Sequence, residues 1–175
     1  MKIFCIIFLL LAVSNASGQD TDVTGFRGEV LAELNGMAGR IIQLAEAIPE
    51  DLYDWRPAEG VRSVREVLLH LAGGNYGYPA LIGYDAPEWY ERGKFEREVT
   101  GKAEAIDVLR ESFEHHRTAI ISFTGNDLEE SVRWFGGREI TRRGALISIT
   151  RHTGEHLGQL IAYARMNGIV PPWSR

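Results

Sequence analysis

A chain of 175 residues has the length of about one domain and can bury a core of its own. Its 19 basic residues are outnumbered by 24 acidic ones, for a formal net charge of −5, and no Lys/Arg cluster or aromatic-interleaved basic stripe breaks that balance, which excludes nucleic acid as an expected partner. The single cysteine, Cys5, excludes a disulfide framework.

The first eighteen residues read as a signal peptide rather than as part of the fold. Lys2 supplies one positive charge, Ile3 to Val13 is an unbroken apolar run, and Ser14-Asn15-Ala16-Ser17-Gly18 offers small residues for cleavage. That run is short of the roughly 20 residues needed to span a bilayer. No other segment is apolar enough to cross one, so the mature chain, residues 19–175, is expected to be exported to the periplasm or the extracellular space without stable membrane insertion. Cys5 leaves with the leader, which removes cysteine catalysis and thiolate metal sites from consideration. Loss of Lys2 leaves eighteen basic residues against twenty-four acidic ones.

Four helical segments follow. The first runs from about Thr24, a plausible N-cap, to Ile48, with Val30, Leu34, Met37, Ile41, Leu44 and Ile48 recurring every three or four residues until Pro49. After an aromatic connector through Trp55-Arg56-Pro57, Ser63 and Glu66 form a capping box for the second helix. It carries Val67, Leu68, His70 and Leu71, and extends to about Leu81 despite Gly73, Gly74 and Gly77. Residues 85–101 are charged and non-periodic; a connection of this length can return the chain along the bundle and leave helices two and three parallel. Helix three spans about Lys102 to Phe123. Val132 to Ile140 reads as a hairpin turning at Gly136-Gly137, and helix four covers Arg143 to Met166 before an αL stop at Asn167-Gly168. The expected fold is an all-α four-helix bundle with a long connection between helices two and three and a small hairpin-like insert before helix four.

His152 and His156 on that last helix are spaced i, i+4 and share one face with Ile149, Leu160 and Tyr163. Two core-facing imidazoles need partners, and a shared metal ion satisfies both at once. In a bundle the third ligand comes from a facing helix, and His70 is the leading candidate. Three imidazoles leave a position open for water or substrate, as in catalytic zinc sites; nickel or iron would also accept them.

The segment His152-x-x-x-His156-x-Gly158-Gln159-Leu160, followed by Arg165-x-Asn167-Gly168-x-x-Pro171-Pro172, resembles the DinB family of four-helix-bundle metalloenzymes. A second stretch, Trp55-Arg56-Pro57-Ala58-x-Gly60-x-Arg62-Ser63 leading to Glu66-x-x-x-His70-Leu71, resembles it as well. The resemblance spans nearly all of residues 19–175. It implies a metal triad of His70, His152 and His156 holding zinc or nickel, with iron or manganese as further choices. It also implies either metal-dependent hydrolysis or thiol transfer on a small-molecule substrate, or a non-catalytic metal- or ligand-binding domain. Export disfavours thiol transfer, because low-molecular-weight thiols are kept reduced in the cytosol. A homodimer is compatible with this architecture. In place of the second histidine that often adjoins the last ligand in this family, Glu155 stands before His156.

Glu155 also completes an H-x-x-E-H pattern, in which inverzincin proteases use the carboxylate as general base. That class needs a downstream acidic ligand, and none of the nineteen residues after His156 is Asp or Glu. Two roles remain for Glu155: a catalytic one, orienting a ligand or accepting a proton, and a structural one as an exposed helix carboxylate paired with Arg151. His116 is expected in the core of helix three and His115 in solvent. Trp55, Tyr76, Trp89, Tyr90 and Trp134 are placed to wall a pocket or cap the bundle's ends.

Overall fold

The computed structural model describes residues 23–175; the signal-peptide reading of residues 1–18 lies outside the described residues. Four long helices form the bundle: α1 (Gly25–Ala47), α2 (Val64–Ala80), α4 (Lys102–Ser122) and α5 (Arg142–Met166). A short helix, α3 (Lys94–Glu98), interrupts the connection between α2 and α4, which the sequence pattern marked as non-periodic. Its five residues are too few to show a repeat. No helix among the described residues is long and apolar enough to cross a membrane.

The expected N-cap of α2 forms in full. Ser63 Oγ accepts from the Glu66 amide at 3.3 Å, and Glu66 accepts from the Ser63 amide at 2.7 Å. Thr24 occupies the N-cap of α1 without a side-chain hydrogen bond, while Thr141 Oγ1 caps α5 by accepting from the Gly144 amide at 3.1 Å. The stop after α5 uses Gly168 at φ +73°.

Cross-helix contacts fix the directions. Arg27, at the start of α1, donates to Ile121 O and Phe123 O at the end of α4, and Lys102, at the start of α4, donates to Ile48 O at 2.7 Å, so α1 and α4 are antiparallel. Arg65 donates to Thr100 O at 2.8 Å and, further along, Asn75 donates to Ser112 Oγ at 3.0 Å, so α2 and α4 are parallel. The α2–α5 pair is antiparallel, held by Tyr163 on Arg62 O at one end and Arg142 on Ile82 O at the other. The bundle therefore runs up, down, down, up. The Leu81–Gly101 connection carries the chain back along the molecule, as its length predicts.

Leu34, Ile41, Leu44, Leu68, Leu109 and Phe113 are fully buried at its centre. Each such side chain contributes roughly 1.5–3 kcal/mol by leaving water, which lets a chain without disulfides hold this shape. Before α5, β1 (Ser131–Arg133) and β2 (Glu139–Thr141) pair antiparallel with Val132 opposite Ile140, turning through Gly136 and Gly137 at positive φ. The Arg142 guanidinium ties this insert to the bundle, donating to Ile82 O at 2.7 Å and Asp127 O at 2.6 Å.

Candidate metal centre

His70 projects from the middle of α2, and His152 and His156 project from one face of α5. Because these helices run antiparallel, the three rings meet with centroids 4.5–5.3 Å apart. His152 Nε2 lies 3.2 Å from His70 Nε2 and 3.1 Å from His156 Nε2, and one nitrogen from each ring lies within 4.8 Å of the others. All three side chains are half-buried. They stand at the side of the bundle rather than in its core, where the sequence pattern sets His152 and His156.

The tautomer of His156 can be deduced from a chain of hydrogen bonds. The Arg62 carbonyl can only accept, so the Tyr163 hydroxyl donates to it at 3.1 Å and accepts from the Gln159 amide nitrogen at 2.7 Å. Gln159 Oε1 then faces His156 Nδ1 at 2.8 Å, which makes Nδ1 the donor and leaves a lone pair on Nε2. Glu96 of α3 stands near His70 without a hydrogen bond to it: its Oε1 lies 3.6 Å from Nδ1, while its Oε2 accepts from Arg62 Nε at 3.1 Å. His156 thus aims an Nε2 lone pair at His152, whose Nε2 also lies 3.2 Å from His70 Nε2.

Burial keeps all three rings neutral. Desolvation first, then the Arg62 guanidinium, holds His70 down to about 4. Desolvation, then the neighbouring His156 and His70, holds His152 at about 4, and His156 is lowered chiefly by burial. Neutral imidazoles with converging lone pairs suit a cation. Two nitrogens bound at about 2.05 Å to one tetrahedral ion stand about 3.3 Å apart, close to the two short separations here. The donor set therefore fits a divalent metal of the imidazole-binding kind.

His70 lines a cleft of about 360 Å³ together with Glu96, Tyr78, Tyr90, Arg92 and Phe135, among others. Tyr78 stacks edge-on against His152, and its hydroxyl lies 3.4 Å from Nε2. Tyr90 donates to Gly73 O at 2.8 Å and crosses Gly77 so closely that a Cβ there would meet its hydroxyl at 2.8 Å. The glycines that weakened the helix reading of α2 are thus what lets an aromatic wall lie against it.

Glu155 does not join the imidazoles. Its carboxylate is exposed and paired with Arg151, the structural alternative in the sequence reading, although its field still reaches His152 and His156. His116 is fully buried on α4 with Nδ1 3.3 Å from Asn75 Oδ1, as expected of a core histidine. His115 departs from expectation: it packs against Tyr76 and Tyr84, with Nε2 buried and unpaired, because the long connection folds over that side of α4. Of the five aromatics singled out, only Tyr90 lines the cleft. Tyr78, Phe135, Glu96 and Gln159 were not assigned roles. Gln159 lies one turn beyond His156 and was within reach of helical spacing; the others reach the site through tertiary structure.

Comparison with known proteins agrees with this fold. The family model of the DinB superfamily matches residues 33–160. The YjoA protein of Bacillus subtilis strain 168 is 26% identical over 129 residues, 72% of this chain and 80% of its own length. A DinB-like protein from Bacillus cereus ATCC 10987 superposes with a TM-score of 0.71 at 16% identity, over 83% of this chain and 95% of that one. YfiT from Bacillus subtilis superposes with a TM-score of 0.66 at 16% identity, over 86% and 93% of the two chains. It is described as a probable metal-dependent hydrolase with an unusual four-helix bundle topology.

Proposed function

The chain belongs to the DinB superfamily, and from its three convergent imidazoles we propose that it is a divalent-metal-dependent enzyme that hydrolyses a small molecule in the cleft beside His70. The observation that carries this reading is the coordination count. Among the described residues, the group of His, Cys, Asp and Glu side chains that could hold one ion contains His70, His152 and His156 and no fourth member; Glu155 pairs with Arg151, and His116 Nδ1 faces Asn75. A structural site closes its coordination shell with protein; three ligands beside an accessible cleft leave room for a reactant. The hydrolase description of YfiT, a protein of the same fold, supports the same reaction class.

His70, His152 and His156 would hold zinc or nickel, with iron or manganese also acceptable to this donor set. Such an ion would supply Lewis acidity and lower the proton affinity of water, for zinc to a pKa of about 7. The protein's own groups do the rest. Gln159, Tyr163 and the Arg62 carbonyl hold the His156 ring in one tautomer, and the Glu96 carboxylate stands 3.6 Å from His70 Nδ1. Burial raises the Tyr78 phenol above its ordinary range, so it stays protonated and can donate a hydrogen bond to a substrate oxygen. In the net reaction the oxygen of water joins the acyl carbon, the bond to the leaving group breaks, and the leaving group departs with a proton. Export through the N-terminal apolar segment and assembly as a homodimer complete the proposal.

The test is a metal-reconstituted screen of esters, amides, lactones and thiol acceptors, run in parallel on the parent and on His156→Ala. Hydrolysis by the parent that falls to background in the variant is expected. Equal rates in every class would remove the enzymatic reading and leave a binding domain.

A further inference from the structure

We propose that Arg92 selects the substrate of this cleft: a small molecule with one anionic oxyacid group, carboxylate or phosphate, on an apolar body. The inference rests on the metal-dependent reading for where the reacting bond lies, and on Arg92 alone for the anion.

Arg92 lies in the connection before α3 and lines the same cleft as His70, Tyr78 and Tyr90. The neighbouring basic residues are engaged: Lys94 with Glu98, Arg97 with Glu91, and Arg62 with Glu96. Arg92 has no such partner among the described residues. Its side chain is exposed at the wall of the cleft. Of the two charged side chains that line the cleft, Glu96 is already engaged by Arg62, which leaves the Arg92 guanidinium as the unpaired charge on its wall. An unpaired cation at a concave site draws anions in from solution. A guanidinium free of protein partners offers a planar fork that matches carboxylate or phosphate oxygens.

The remaining wall sets the body of the ligand. Tyr90, Phe135, Leu81 and Ala86 present rings and methyl groups, and the glycines of α2 form a floor without side chains. A volume of about 360 Å³ falls at the small end of the range of roughly 300–1,000 Å³ for small-molecule sites, too little for a polymer.

Binding of hippurate, phenyl phosphate and neutral N-benzoylglycinamide is to be measured by calorimetry on the zinc-loaded parent, Arg92→Ala, Arg92→Lys and, as a second background, His156→Ala with and without Arg92→Ala. Arg92 is exposed, so its removal leaves folding intact. At least one anion is expected to lose about tenfold in affinity in Arg92→Ala, with the neutral amide unchanged and Arg92→Lys intermediate. The same loss in the His156→Ala background separates the guanidinium from any direct anion–metal contact. Whether hippurate or phenyl phosphate responds more distinguishes a carboxylate from a phosphate ligand. Unchanged anion affinity in Arg92→Ala, or an equal loss for anions and amide, overturns the assignment. An Arg92-dependent anion preference without hydrolysis of any ester or amide that keeps a free carboxylate or phosphate would instead count against the hydrolase reading alone.

Discussion

Replacing Gln159 with leucine should weaken metal binding without removing a ligand. Gln159 Oε1 lies 2.8 Å from His156 Nδ1 and is oriented by Tyr163, whose hydroxyl is committed to the Arg62 carbonyl. Leucine keeps the helix propensity and much of the volume but leaves the Nδ1 proton of a half-buried ring unpaired. The imidazole is then free to move its proton to Nε2, turning the ligand atom into a donor. Loss of an outer partner of this kind costs about 10- to 100-fold in metal affinity, or about 1.4–2.7 kcal/mol. Competition for zinc against a chromophoric chelator at neutral pH reads this directly. Gln159→Glu, which keeps an acceptor at the same place, should retain most of the affinity. An affinity for Gln159→Leu within about twofold of the parent would refute the orienting role, since that corresponds to less than about 0.5 kcal/mol.

Other perturbations separate the site from its surroundings. Glu155→Gln should change stability by less than about 1 kcal/mol and leave zinc affinity nearly unchanged, because an exposed carboxylate paired with Arg151 is lost; a tenfold loss in the same zinc competition would restore Glu155 to the site. Gly77→Ala forces only the end of the Tyr90 side chain aside, exchanging one hydrogen bond of about 1 kcal/mol for a similar gain in helix propensity. Urea unfolding should therefore show a net change within about 1 kcal/mol, whereas a loss above about 3 kcal/mol would mean that the backbone itself had to move. Desolvation holds His116 down to about 3 from an ordinary 6.5, so in the metal-free protein the unfolded chain takes up this proton first. Stability from this group is fully present above pH 6.5 and is lost as pH falls toward 3. His116→Leu should flatten that acid limb in denaturant titrations, and an unaltered slope would contradict the burial argument.

The helices were legible because each long one repeats its apolar residues at helical spacing, and the Ser63–Glu66 box and Gly168 mark ends that the structure reproduces. The parallel run of α2 and α4 followed from the length of the connection between them. Helix α3 was not legible, since one turn and a half carries no period, and its placement determines where Glu96 and Arg92 lie. His152 and His156 could be paired from spacing alone, whereas His70 needed a facing helix and the family resemblance to be matched with them. Glu155 looked chemical because it adjoins His156 in sequence. On a helix the next residue turns about 100° away, and here it meets Arg151 and solvent. Glu96, by contrast, is 26 positions from His70 and reaches it only because the connection folds back over α2.

The most direct test of the three-imidazole centre is elemental analysis of the untagged protein alongside His70→Ala and His152→Ala. One divalent ion per chain in the parent, lost in each variant with the helical signal intact, is the predicted result. A parent that takes up no metal on reconstitution, or stoichiometric metal retained in both variants, would contradict it.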